Sequence, residues 1–249
     1  KYGISRACRV LDIPRSNFYR KSIKDDTEVA SALQKKAEEH PREGFWKAYH
    51  RLRREGHRWN HKRVHRVYVA CGLNLRRKGK KRLPERIQQP LEVPKYLNHT
   101  WSMDFMQDRL ENGRKIRLFN VIDDFNRQAL CVEVETSFKS CNILWVLNHL
   151  IKRFGKPKRI RMENGPEFIA TTTQSWSEGH GIEFVNFQPG KPTQNSFIER
   201  FNGSVRRDVL DAISFQTIQE VRAESQRWMD DYNHNRPHES LGNLPPIPY

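Results

Sequence analysis

Three acidic residues stand where carboxylates could do chemistry. Glu199 lies in QPGKPTQNSFIERFNG (188–203), a loop followed by a predicted helix running to about Leu210. Thr193 is the expected N-cap of that helix. Phe197, Phe201, Val205, Val209 and Leu210 recur at helical spacing and should face a core, while Asn195, Glu199, Asn202 and Arg206 share another face. An acid flanked by amides and arginine suits a cation and a phosphate, although an ordinary amphipathic helix would also account for it. Glu163 ends a strand-like run, Ile160 to Met162, just before an Asn-Gly-Pro turn, and 35 residues separate it from Glu199. Asp104 sits inside the apolar run TWSMDFM. An acid in a buried strand is costly unless it is paired or bound to a metal.

These pieces do not stand alone. TWSMDF, NVIDDFNRQAL, ENGPEF, QPGKPTQNSFIERFNGSVR and YNHNRPHESLG follow one another in order. From about Cys8 to Gly242 the chain resembles the OrfB-type transposases of the insertion-sequence-three family, within the retroviral-integrase-like, Asp-Asp-Glu superfamily. That resemblance implies an RNase H-like catalytic core and metal-dependent polynucleotidyl transfer. The enzyme would cleave transposon ends at the 3′ side and transfer strands by a copy-out, paste-in route. It also implies Asp104, Glu163 and Glu199 as catalytic residues and metal ligands for two Mg²⁺ ions, with Mn²⁺ as a substitute. One position departs from the family pattern. Where the second acid is normally an Asp in a Ser-Asp-Asn-Gly-Pro-Glu-Phe-like run, this chain has Met162 and Glu163. Two other readings therefore stay open: a DNA-binding protein with a catalytically impaired core, and a metal-dependent nuclease that does not join ends.

The elements that must position the acids follow from the pattern. Strands are predicted at Thr100–Asp108, Ile116–Asp123, Ala129–Glu135, Ile160–Glu163 and Ile182–Phe187, with helices at Ser140–Phe154 and Thr173–Gly179. Gln216–Asn233 is a last helix, and RPHESLGNLPPIPY an extended tail that could dock on DNA or a second subunit. This is an α/β order with a mixed five-stranded sheet. Asp123 and Asp124 read as turn and capping residues in DDFNRQ, with an assisting role for Asp123 left open.

Charge is unevenly spread over the 249 residues. The first 95 carry 26 basic and 10 acidic side chains, and the rest carry 19 of each, so the whole net charge of +16 lies at the front. Such a block points to a polyanion, with nucleic acid first. Residues 1–22 outline a helix-turn-helix-like segment and 23–74 a basic helical DNA-binding module, with helices at Asp25–Glu39, Phe45–Arg54 and His61–Cys71. Residues 75–97 form a basic linker, 98–212 the catalytic core, and 213–249 a C-terminal helix and proline-rich tail. Lys62, Arg63, Arg66, Arg76, Arg77, Lys78, Lys80 and Lys81 are the expected phosphate contacts of the arm. Asn164, Gly165, Lys191, Asn195 and Arg206 are the expected DNA contacts around the cleft.

His57, His61 and His65 repeat every four residues, but no C-x-x-C pair accompanies them, so a zinc unit is not indicated. Cys8, Cys71, Cys131 and Cys141 are scattered, which predicts a reducing, cytosolic setting, and the resemblance implies a bacterial, nucleoid-associated protein. No apolar run reaches the roughly 18–20 residues of a membrane span. Expected partners are transposon-end DNA, target DNA, a second copy in a homodimer or higher assembly, and an upstream OrfA segment or fusion.

Overall fold

The computed structural model describes residues 3–19, 25–75, 93–163, 165, 171–186 and 196–247. Two compact units are present, 1–41 with 58–74, and 42–57 with 75–249. The smaller holds α1 (Ile4–Val10), α2 (Arg15–Tyr19), α3 (Thr27–Glu39) and α5 (His61–Ala70). Val29 and Leu33 of α3 are buried, as are Val64, Val67 and Tyr68 of α5, the stripe expected from the three-to-four-residue spacing. Asn60 caps α5 by accepting the Lys62 amide. Helix α4 (Phe45–Arg54) belongs to the larger unit.

That larger unit is built on a five-stranded sheet in the order β3-β2-β1-β4-β5. Its strands are β1 (Thr100–Arg109), β2 (Lys115–Asp123), β3 (Ala129–Glu135), β4 (Arg159–Met162) and β5 (Glu183–Asn186). The first three pair antiparallel, and β4 and β5 add in parallel beside β1, making the mixed sheet of an RNase H-like fold. Alternation along β1 divides its side chains between two cores. Trp101 and Met103 join Ile160 and Met162 against α6 (Ser140–Phe154) and the region of α7 (Thr171–His180). On the opposite face lie α8 (Ser196–Val205) and α9 (Ile218–His234), through Ile198, Phe201, Val205, Val221 and Trp228.

Asn98 ties the ends of several elements together. It adopts a left-handed backbone conformation, with φ of 58°. Its side chain donates to the Phe154 carbonyl and accepts from the Trp101 indole, and its amide donates to Asp123 Oδ2. Gly155, at φ of 97°, ends α6 beside it, and a Cβ there would meet Asn98 Nδ2 at 3.1 Å.

The helix carrying Glu199 runs to Leu210 as expected, its last stretch, Arg206–Leu210, widening into a π-helical turn. Val209 and Leu210 are both buried there. One expectation needs correction: the tail is not an extended arm. It turns at Glu239–Leu241, Ile247 N–H donates to the Asn233 carbonyl, and the Asn126 side chain donates to the Pro246 carbonyl. Buried amides of the core thus capture a segment whose prolines offer carbonyls but no donors. The expected cap at Thr193 lies outside the described residues.

Candidate functional site

Asp104 lies mid-strand in β1, opposite Asn120 of β2. It shares the face covered by α8, and Asn202 of that helix donates to Asp104 Oδ2 at 2.7 Å. Asn120 in turn donates to Asn202 Oδ1 at 2.7 Å. The result is a chain of two amides that fixes one carboxylate oxygen, while the other takes the backbone amide of Phe105. Helical spacing puts Glu199 one turn before Asn202, on the rim and exposed. Glu163 follows directly on β4 and is also exposed. At the far side of α8, the Arg127 guanidinium lies 3.5 Å over the Phe197 ring, pinning the first turn of the Glu199 helix to the β2–β3 hairpin.

Asp104 and Glu199 feel the neighbouring acids. Burial, first, and then the charges of Glu163 and Glu199 push the Asp104 carboxyl up to about 6, against the hydrogen bonds from Phe105 and Asn202. Glu199 is likewise raised, by burial and by Glu163. The strand end, the middle of β1 and the first turns of α8 therefore bring the three predicted acids within electrostatic reach. Among the described residues no three His, Cys, Asp or Glu side chains are placed so that together they could hold a metal ion. An all-oxygen donor set under mutual repulsion nevertheless fits a hard divalent ion, which would relieve that repulsion.

The other predicted residues divide. Arg206 Nη1 pairs with Asp108 Oδ2 at 2.9 Å, and Nη2 donates to the Gln107 carbonyl, so its guanidinium holds the end of β1. Arg63 and Arg66 both pair with Asp26, at 2.9 and 2.7 Å, bracing α5 against the start of α3. Lys62 is exposed on α5, and Gly165 stands just past Glu163. Asn164, Lys191, Asn195, Arg76, Arg77, Lys78, Lys80 and Lys81 lie outside the described residues. Asp123 serves the turn, accepting the amides of Asn98 and Phe125.

Asp124 was not foreseen as more than a turn residue. It is fully buried and pairs with Arg161 at 3.1 Å, linking the hairpin turn to the strand that ends on Glu163. Burial raises its carboxyl to about 6, against the pull of Arg161 and Arg127. Local sequence held no signal for this, since the partners are 37 residues apart.

Comparison with known proteins bears on the fold and the family. Integrase core domain models match residues 96–192 and 180–246, and an HTH-like domain model matches 24–81. An uncharacterized 31.7 kDa protein of insertion element IS407 from Burkholderia multivorans is 35% identical over 243 residues, covering 97% of this chain and 88% of the relative. The Escherichia coli transposase InsD of insertion element IS2 is 25% identical over 273 residues, covering 100% and 91%. Among solved structures, a cryoEM simian T-cell lymphotropic virus intasome in complex with PP2A regulatory subunit B56 gamma is similar in fold. It aligns with a TM-score of 0.50 and 18% identity, over 83% of this chain and 70% of that one. With an acid-bearing RNase H-like core, a helix-turn-helix-like front and a full-length match to the IS407 protein, the chain belongs to the OrfB-type transposases of the insertion-sequence-three family.

Proposed function

We propose that the chain cleaves the 3′ ends of its element's DNA and joins the freed 3′-hydroxyl to another strand, in the copy-out, paste-in manner. The observation that carries this reading is the coupling of Asp104, Glu163 and Glu199. Burial and the charges of Glu163 and Glu199 raise the affinity of Asp104 for positive charge, and burial and Glu163 do the same for Glu199. In this reading all three bind two Mg²⁺ ions, with Mn²⁺ as a substitute. When bound, such a pair supplies activation of the attacking water or 3′-hydroxyl and stabilisation of the leaving oxygen.

The chain's own residues do the positioning. Asn202 and Asn120 hold Asp104 in one rotamer, and the Asp124–Arg161 pair steadies the strand before Glu163. Lys62 and the basic run Arg76, Arg77, Lys78, Lys80 and Lys81 take DNA phosphates along the arm. Asn164, Gly165, Lys191 and Asn195 take them beside the cleft. Arg63, Arg66 and Arg206 already hold carboxylates, so they would have to share them with DNA. Pairing two ends calls for a homodimer or higher assembly, working with an OrfA segment upstream or fused.

Glu163 favours a second reading, a DNA-binding protein whose core is impaired, because one extra methylene displaces the ligand. Labelled end DNA incubated with the OrfA–OrfB fusion in Mg²⁺ or Mn²⁺ separates the cases. Joined product that disappears with a dideoxy end is expected. Hydrolysis without joining would indicate a nuclease, and DNA binding without either reaction the impaired protein.

A further inference from the structure

β1 and β4 run in parallel, with Thr100 opposite Arg159 and Ser102 opposite Arg161. Because side chains alternate, Asp104 and Glu163 share one sheet face with those four residues. Read backwards along β4, that face changes from acid to base: Glu163, then Arg161, then Arg159. At the basic end lies a cavity of about 90 Å³ whose walls include Lys95, Tyr96, His99, Thr100, Arg159 and Arg161. Asp104 is four residue steps along β1 from Thr100, roughly 13 Å at about 3.3 Å per residue. Ser102, which lies between, is 2% exposed, so a DNA strand joining the two places runs over the elements that cover this face and spans the distance within a few nucleotides.

The cations of the cavity are not equally engaged. Arg161 is held by the buried carboxylate of Asp124 at 3.1 Å. Arg159 is held loosely. Its Nε stands 3.5 Å from Glu183, a carboxylate 59% exposed, and this buried nitrogen makes no hydrogen bond among the described residues. An exposed pair at that distance is weak and easily exchanged. Lys95 is exposed at the mouth. Two donors thus converge on a small concave site without a tight internal acceptor.

We propose that this cavity binds a backbone phosphate of DNA through Lys95 and Arg159, anchoring the strand whose reacting phosphodiester lies at Asp104, Glu163 and Glu199. The inference rests on the function proposed above. On binding, the phosphate replaces Glu183 as the anion facing Arg159 and accepts the hydrogen bond that Glu183 does not. Arg161, already neutralised, shapes the wall instead of contributing charge.

The test uses the full chain and a labelled duplex of arbitrary sequence, about 24 base pairs long, with binding followed by fluorescence anisotropy over roughly 0.05–0.2 M salt. Lys95→Ala and Arg159→Gln should each weaken binding about threefold or more near 0.15 M salt. Each should also make the log–log salt slope shallower by about 0.9, as for one lost phosphate contact. Glu183→Gln should instead strengthen binding about twofold, because it frees Arg159, a gain that a merely structural pair would not produce. Unchanged slopes in the Lys95 and Arg159 variants would overturn the cavity, as would weaker binding by the Glu183 variant. If those variants still join ends like the parent, only the cavity is lost. A parent that neither binds duplex DNA nor joins ends would overturn both this inference and the proposed function.

Discussion

The larger unit contains two clusters of charge, and they are built on opposite rules. At the cleft, Asp104, Glu163 and Glu199 are all negative, and Asp104 is relieved only by the Phe105 amide and Asn202. In the second cluster, charges alternate. Arg51 makes two hydrogen bonds to Glu43 and two to Asp231, and Arg236 pairs with Asp208 at 2.6 Å and with Glu43 at 3.3 Å. Arg51, Arg236 and Glu43 are 6, 4 and 8% exposed, far more buried than the exposed Glu163 and Glu199. Depth of burial therefore does not single out the proposed reactive site. Lack of compensation does: a balanced cluster is finished as it stands, whereas an unbalanced one is suited to a cation. The balanced cluster has its own consequence. It clamps α4, from the stretch matched by the HTH-like model, to α9 and to the π turn that follows the Glu199 helix.

Removing a charge should accordingly have opposite effects in the two places. Arg51→Ala removes four hydrogen bonds and leaves buried Glu43 with its pair to Arg236, and should cost about 3–5 kcal/mol of stability. Urea melts of parent and variant would measure it. A loss under about 1 kcal/mol would mean that the network is solvated and the contrast false.

Glu199→Gln is the matching change at the cleft. It removes a repelling charge, so in EDTA the variant should melt at or above the parent's temperature. Joining and cleavage should nonetheless fall at least about 100-fold, roughly 2.7 kcal/mol in the barrier, with end-DNA affinity within a few-fold. If the Gln variant joins ends at a similar rate, Glu199 is not a ligand.

A pH dependence sharpens the comparison from the balanced side. His238 packs edge-on to Tyr232, and its Nε2 is buried without a hydrogen bond among the described residues. Burial, then Arg236, Lys47 and Arg127, with Glu43 opposing, push the imidazole down to about 3. The folded ring stays neutral where the unfolded one charges near pH 6.5, so its contribution is present above that pH and lost as pH falls towards 3. Between about pH 7.5 and about pH 5 the parent should lose roughly 1–2 kcal/mol through this group. His238→Gln should flatten that limb of a stability–pH curve, and an equally steep limb in the variant would rule the histidine out as its source.

How much of this was legible in the sequence depends on how local the cause is. Phe45–Arg54, Ala129–Glu135 and Ser140–Phe154 fall where periodicity puts them, because each element's buried face is written within its own residues. Asp104, Glu163 and Glu199 could be singled out as well, as acids at strand and helix positions matching the family's motifs, and their roles are the reading proposed above. Their orientation was not legible. The Asn120–Asn202 relay joins residues 82 apart, and Arg51 meets Asp231 across 180. The π turn was hidden for a related reason, since it is set by what Val209 and Leu210 must pack against. Tail capture was hidden too, because its partners are amides with no signature of their own.

The smallest predicted effect bears on whether the cleft is in working order. Glu in place of Asp at position 163 lengthens the side chain by one methylene, which moves the carboxylate by roughly 1 Å, whereas catalytic groups tolerate about 0.5 Å. Mg²⁺ demands near-ideal octahedral geometry and should suffer from this more than Mn²⁺. Asp104 cannot follow the displaced ligand, because Asn202 and the Phe105 amide hold both its oxygens. Glu163 is exposed, at the end of a strand tied by Arg161 to Asp124, so shortening it leaves the fold untouched. Glu163→Asp should therefore raise strand transfer in Mg²⁺ by about tenfold, roughly 1.4 kcal/mol, and by less in Mn²⁺, with no change in melting temperature. Joining assays on both proteins in both ions decide it. Equal or lower activity of the Asp variant in Mg²⁺ would mean that the end of β4 has adapted to the longer side chain, making Glu163 the working ligand of a site already in register.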